Sequence, residues 1–206
     1  MIATALATAT RLLCGASVRW QCDPTGTKQR IYYANHSSHL DFVMIWSSMP
    51  PRLRRSARPV AGRDYWQRGA TRQYLAGRVF RAVLVDRGAA GVDRAASARA
   101  AIEHMTQVMA DTYSLIVFPE GTRSQDGEVG PFKSGLYHLS QLRPDAELVP
   151  VYLENLNRIL PKGESLPVPM MSRVTFGPIL SVSGHDDKTG FLAKARAALI
   201  ELKDAR

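Results

Sequence analysis

Short apolar runs alternate with longer amphipathic segments along nearly the whole chain, and this alternation restricts the fold more than any other property of the sequence. The apolar runs predict strands over Arg30–Ala34, Arg58–Ala61, Val79–Val85, Ser114–Phe118, Leu148–Leu153 and Arg173–Phe176. Between them, apolar residues at helical spacing predict helices near Leu40–Ser48, Tyr65–Ala76, Val92–Ala110 and Phe132–Gln141. In the third of these Ile102, Met105 and Met109 form the stripe to be buried; in a terminal helix Phe191, Ala195, Ala198 and Leu202 do. Strands separated by helices of this length imply right-handed crossovers, which lay neighbouring strands parallel. The expected class is therefore α/β with a largely parallel sheet, and catalytic residues are expected just beyond the carboxyl ends of strands. At 206 residues there is material for one such domain and little more. The segment Asn155–Pro169, with three prolines, is the expected irregular excursion.

No window holds the roughly 18 consecutive apolar residues of a spanning helix. The first 20 residues come closest, but Arg11 interrupts them and they lack a basic start, so a cleaved signal peptide fits poorly. Ile2, Leu6, Ala9 and Leu13 recur at helical spacing, with Leu12 and Trp20 nearby. We expect a short amphipathic helix within residues 1–25, either lying on a membrane or packing on a domain formed by residues 26–206. The two cysteines, Cys14 and Cys22, are too few for a disulfide framework and have no partners at metal-ligand spacing, so a reducing compartment and no metal are expected.

Charge is unevenly placed. The chain carries +9, and the stretch from Pro51 to Arg94 holds 11 arginines against Asp64, Asp86 and Asp93, a local +8. Such a run suits a polyanionic partner: phosphate headgroups, a membrane surface, a phosphorylated cofactor or nucleic acid. It is equally what a solvated face looks like in an arginine-biased sequence.

Three short constellations follow strands. Asn35-His36-Ser37-Ser38-His39-Leu40-Asp41 comes right after the first. On one continuous helix, residues five apart point about 140° from each other. His36 and Asp41 can meet only if His36 lies in the loop and Asp41 in the first helical turn. Ser38 is a suitable N-cap, and Ser38 with Asp41 three residues on resembles a capping box. An Asp on one imidazole nitrogen fixes the tautomer and leaves the other nitrogen free as a base. A helix cap beside an incidental histidine has the same spacing. Phe118-Pro119-Glu120-Gly121-Thr122-Arg123-Ser124 leaves the fourth strand; Pro119 ends pairing, Gly121 permits a sharp turn, and Arg123 offers a planar fork for phosphate or carboxylate. A turn closed by a Glu120–Arg123 ion pair is the plainer alternative. Val83-Leu84-Val85 delivers Asp86-Arg87 at a third strand end. Nucleotide P-loop, nucleophile-elbow and zinc-ligand patterns are absent from the sequence.

Taken in order, these blocks resemble the glycerolipid acyltransferases of the 1-acylglycerol-3-phosphate acyltransferase type. The 35–41 block is similar to that family's NHx4D motif, and Phe118–Ser124 reads as its FPEGTRS block. Phe132-Lys133-Ser134-Gly135 and Leu148-Val149-Pro150-Val151 match its F-K-x-G and apolar-proline strand. Val85-Asp86-Arg87 resembles its arginine block, except that Arg81 stands where the family usually has glycine. The resemblance spans about Ile31 to Leu153.

The resemblance implies an α/β domain with a mixed, mostly parallel sheet flanked by helices. It implies transfer of an acyl group from acyl-CoA or acyl-carrier protein to a lysophospholipid, most simply 1-acylglycerol-3-phosphate giving phosphatidic acid. His36 would be the base and Asp41 its partner; Glu120, Gly121, Thr122 and Arg123 would bind the glycerol phosphate, with Arg87 assisting and Lys133 contacting phosphate. No cofactor is expected beyond the thioester co-substrate. The site would lie at the cytoplasmic face of a membrane, on an anionic surface, with the protein peripheral or monotopic and no nucleic acid partner. A different lyso-lipid acceptor such as lyso-ornithine lipid, or a non-catalytic lipid- or nucleic-acid-binding module, remains the alternative.

Overall fold

The computed structural model describes residues 2–86, 93–110, 112–124, 126–160, 168, 170–182 and 187–204. Their strands are β1 (Ala16–Trp20), β2 (Arg30–Ala34), β3 (Ala57–Gly62), β4 (Val83–Val85), β5 (Ser114–Val117), β6 (Glu147–Glu154) and β7 (Ser172–Phe176). They form one sheet in the order β1-β7-β6-β2-β5-β3-β4. Every neighbouring pair is parallel except β6 with β7, so the sheet is mixed and mostly parallel. The helices are α1 (Ile2–Leu13), α2 (Asp41–Ser48), α3 (Pro51–Ser56), α4 (Arg63–Trp66), α5 (Ala70–Tyr74), α6 (Arg94–Ala110), α7 (Gly135–Leu142), α8 (Leu156–Ile159) and α9 (Lys188–Asp204).

Helices cover both faces, which is why the central strands are apolar without alternation. All five residues of β2 are buried. Tyr32 and Ala34 join one apolar layer with Phe42, Ile45 and Trp46 of α2. Ile31 and Tyr33 join the other, with Met105 and Met109 of α6, Leu136 and Leu139 of α7, and Phe191, Ala195, Leu199 and Leu202 of α9. Leu199 takes the core position expected of Ala198, which is only half-buried.

Three expectations need correction. The strand expected over Val79–Val85 begins only at Val83, because Leu75–Phe80 continues from α5 as a wider π-helical stretch. Arg81 ends that stretch at φ 50° and ψ 48°, the left-handed cap conformation that favours glycine. The single helix expected over Tyr65–Ala76 is broken into α4 and α5 at Gly69, whose φ is +84°. Residues 1–25 are not an appendage on a domain starting at 26, because β1 lies inside them and pairs with β7 from Ala16↔Ser172 to Trp20↔Phe176. The Trp20 ring stacks on Phe176 at 3.7 Å, so this edge is part of the core. α1 packs on α2 with Ala7 and Thr10 buried and Ala3 and Leu6 partly so. Ile2, Leu12 and Leu13 face outward, at 57%, 77% and 42% exposure. The buried face is thus set by small residues that let the helices approach, not by the largest apolar ones. Among the described residues no helix is long and apolar enough to cross a membrane. The expected excursion after Asn155 begins with α8; most of its remainder lies outside the described residues.

Candidate active site

β2 and β5 are neighbours with Tyr33 level with Val117, so the loops leaving their carboxyl ends emerge side by side. This juxtaposition brings two of the three constellations together. The third is separated from β5 by β3, and Asp86 there accepts from Arg63 Nε at 3.1 Å. Arg87 lies outside the described residues.

His36 sits in the loop and Asp41 at the first residue of α2, so they meet despite a spacing that one helix could not close. His36 Nδ1 is 2.8 Å from Asp41 Oδ2. The same oxygen accepts the amides of Ser37 at 2.6 Å and Ser38 at 2.8 Å. An oxygen already accepting two N–H groups takes the third hydrogen bond as acceptor too, which places the ring hydrogen on Nδ1 and the lone pair on Nε2. Asp41 is fully buried, and its Oδ1 has no hydrogen-bond partner among the described residues. The capping box is half formed. Asp41 reaches back to the Ser38 amide, but the Ser38 hydroxyl donates to the Leu160 carbonyl and accepts from the Leu40 amide. The imidazole stacks on Phe118, with ring centroids 4.2 Å apart.

The 118–124 loop holds the His36 backbone at both polar groups. His36 N–H donates to Glu120 Oε1 at 2.8 Å, and the His36 carbonyl accepts from Ser124 N–H at 2.7 Å. The other Glu120 oxygen accepts from Gly130 N–H at 3.0 Å. Glu120 is 7% exposed, and burial pushes its carboxyl above the usual range while these two amides pull it back. An anion turned inward onto two amides is built to hold the loop, and its charge would repel a phosphate rather than bind one. The alternative reading, a turn closed by a Glu120–Arg123 ion pair, does not describe this loop; the carboxylate is committed to backbone donors.

Gly121, at φ +70°, turns the chain where a β-carbon would lie 2.8 Å from Lys133 Nζ, so the glycine makes room for that side chain. Lys133 is itself anchored by its amide on the Pro119 carbonyl, 2.8 Å away, and remains exposed. Thr122 is exposed. Arg123 is half-buried, and its Nη1 is buried without a partner among the described residues. A guanidinium nitrogen with an unmet donor, two residues after a glycine turn that a lysine side chain covers, suits an anion.

Four supporting residues have no role assigned from the sequence, although Asn35 and Phe118 head the two motif blocks. The Asn35 side chain extends the β2–β6 ladder, donating to the Leu153 carbonyl at 2.9 Å and accepting its amide at 2.8 Å. Phe118 gives the imidazole its stacking face. Gly130 receives the Glu120 clamp, and a β-carbon there would lie 3.0 Å from Oε2. Arg196 of α9 fixes this second loop by donating to the carbonyls of Val129 and Gly130. An asparagine directly after a strand was the one signal available; the others depend on distant segments.

Comparison with known proteins bears on the fold and the family. The chain is 28% identical over 153 residues to 1-acyl-sn-glycerol-3-phosphate acyltransferase of Limnanthes douglasii, covering 72% of this chain and 49% of the relative. It is 29% identical over 184 residues to the Saccharomyces cerevisiae protein of the same name, covering 84% and 55% respectively. The chain thus spans about half the length of the curated relatives it matches. The crystal structure of the 1-acyl-sn-glycerophosphate (LPA) acyltransferase PlsC from Thermotoga maritima superposes with a TM-score of 0.72 at 19% identity, over 99% of this chain and 78% of that one, a likeness of fold. A family model described as Acyltransferase matches residues 22–154, which contain both site loops and the strands that carry them, and the chain belongs to that family.

Proposed function

We propose that the chain transfers a fatty acyl group from an acyl thioester, acyl-CoA or acyl-carrier protein, to the free hydroxyl of 1-acylglycerol-3-phosphate, giving phosphatidic acid. The observation that carries this reading is the His36–Asp41 pair at 2.8 Å, with Nε2 left as a base beside the Arg123 loop. In the proposed step Nε2 takes the acceptor's hydroxyl proton as that oxygen bonds to the thioester carbonyl carbon. Asp41 holds the ring and stabilises the imidazolium that forms. Collapse of the tetrahedral species breaks the carbon–sulfur bond, and the imidazolium returns its proton to the departing thiolate. Base catalysis of this kind contributes about 10²–10⁴-fold, positioning and charge stabilisation the rest. The thioester supplies the activated acyl group, so this reading calls for no metal or further cofactor.

Arg123, Lys133 and the turn at Gly121 and Thr122 are assigned to the acceptor's phosphate, with Arg87 assisting. Glu120 is assigned to the loop rather than to substrate, because both its oxygens serve backbone amides. The acceptor is a membrane lipid, so the protein is assigned to a peripheral position on an anionic, cytoplasmic membrane face, which the excess of arginine favours.

The test uses purified protein, labelled acyl-CoA or acyl-carrier protein, and a panel of lyso-lipids with and without a phosphate monoester, with products resolved by mass. Phosphatidic acid as the dominant product is expected. Preference for a phosphate-free acceptor such as lyso-ornithine lipid would remove the role given to Arg123.

A further inference from the structure

A second cationic site lies apart from the His36 loop. α1 runs across the carboxyl end of α2 and the start of α3, leaving an open groove of about 330 Å³ lined by Thr4, Thr8, Arg11, Trp20, Ser48 and Arg54 among others. Its lining includes two arginines and no acidic residue. The guanidinium of Arg54 is held over the Trp46 ring, 5.2 Å from its centroid, so its position is fixed by the core. Arg11 and Arg55 stand close enough that, after burial, their charges are what most lowers the Arg54 pKa. Like charges gathered without a counter-charge are unfavourable unless an anion joins them. Ser48, which lines the same groove, is 6% exposed, and its hydroxyl has no hydrogen-bond partner among the described residues.

We propose that the groove between α1 and α3 is a phosphate-binding site distinct from the transfer site, with Arg11 and Arg54 meeting the charge. The shared chemistry is an anionic phosphate group, as in a phospholipid headgroup or a free phosphate. Neither arginine belongs to the His36 or Glu120 network, and the proposal stands whether or not the transfer reading does. It gives α1 a function beyond covering the sheet.

Two charge-removing pairs separate a built site from diffuse attraction. Arg11→Gln with Arg54→Gln removes the groove's two charges, whereas Arg68→Gln with Arg78→Gln removes as much charge from exposed positions of the Pro51–Arg94 run. Binding of the full chain is measured on phosphatidylcholine vesicles with and without phosphatidylglycerol, and in parallel by calorimetry with inorganic phosphate and glycerol phosphate. The groove pair is expected to weaken binding to the phosphatidylglycerol vesicles about thirtyfold, near the sum of two basic contacts, and the surface pair less than about fivefold. Binding of the soluble phosphates by the wild type, lost in the groove pair, would identify free phosphate as a ligand; loss on vesicles alone would identify the headgroup. Equal weakening by the two pairs, or none by the groove pair when its melting temperature matches wild type, would overturn the proposal.

Discussion

The loop from Asn35 to Asp41 and the arginine-rich run from Pro51 to Arg81 handle polar groups in opposite ways. In the loop, backbone and side chain answer one another within a small buried volume: three donors on one Asp41 oxygen, and both polar groups of His36 tied to the 118–124 loop. In the run, cations are taken up by separate rings and carbonyls rather than by one shared network, and Arg54 also feels the charges of Arg11 and Arg55. Arg58, 5% exposed, stacks on Tyr113 at 3.9 Å and donates to the carbonyls of Arg55 and Ala57. Arg72 lies over Tyr65, Arg54 over Trp46, and Arg68 and Arg78 are exposed to solvent. The local excess of charge is therefore partly structural, and it is less a continuous basic face than the sequence suggests. Dense mutual satisfaction fixes geometry, so a single change there should be felt widely; separately held cations should act locally and be screened by salt.

The largest expected effect within the loop is that of Asp41→Asn. The amide would set a donor or a weaker acceptor against three N–H groups and free the imidazole to take the wrong tautomer. The rate should fall by about 10²–10⁴-fold, with acceptor KM little changed. Next comes Arg123→Ala, which should raise the KM for a phosphate-bearing acceptor by roughly 10–150-fold, the worth of a charge-assisted contact, while leaving the donor's KM alone. Glu120→Gln sharpens the contrast, because it keeps shape but gives one amide a mismatched partner. Its effect should be about tenfold and fall on kcat rather than on acceptor KM. A KM effect like that of Arg123→Ala would return Glu120 to the substrate.

In the arginine-rich run the expectation is small and of opposite sign. Arg81 holds a left-handed conformation, φ 50°, that costs a side chain about 1 kcal/mol or more. Arg81→Gly should therefore be neutral or stabilise by up to about 1 kcal/mol in denaturant unfolding, with transfer unaffected, since glycine's greater unfolded-state entropy offsets part of the gain. A clear loss of stability would mean that the Arg81 side chain makes a contact that outweighs the strain.

What the sequence made legible follows from the range of the interactions. Buried strands between helices have a local signature, and β2, β5, β6 and β7 lie within a residue of where their apolar runs end. The possibility of a His36–Asp41 contact was also local, a question of where one helix starts. β1 falls inside the segment expected to carry an N-terminal helix, although Ala16, Val18 and Trp20 alternate with polar residues as a half-buried strand requires. Its partner, β7, is more than a hundred residues away, and only the sheet reveals the pairing. Only the end of the π-helical stretch before β4, Val79 and Phe80, reads as strand in the sequence, because these residues adjoin another apolar run. The clamp by Glu120 has no local signature for the same reason as β1, since the His36 amide it serves lies 84 residues away, and only the Gly130 amide, ten residues on, is within its own loop region.

The central claim is that His36, held by Asp41, is the base in acyl transfer to a lysophospholipid. Its most direct test is His36→Ala in a transfer assay with labelled acyl-CoA and 1-acylglycerol-3-phosphate, alongside a melting curve and a lipid-binding measurement. The imidazole is partly exposed in a polar loop, and its backbone hydrogen bonds survive the substitution, so folding and lipid binding should persist. Phosphatidic acid formation should drop by at least about a hundredfold. If a protein that melts and binds lipid like wild type keeps more than roughly a tenth of its activity, less loss than general base catalysis provides, His36 is not the base.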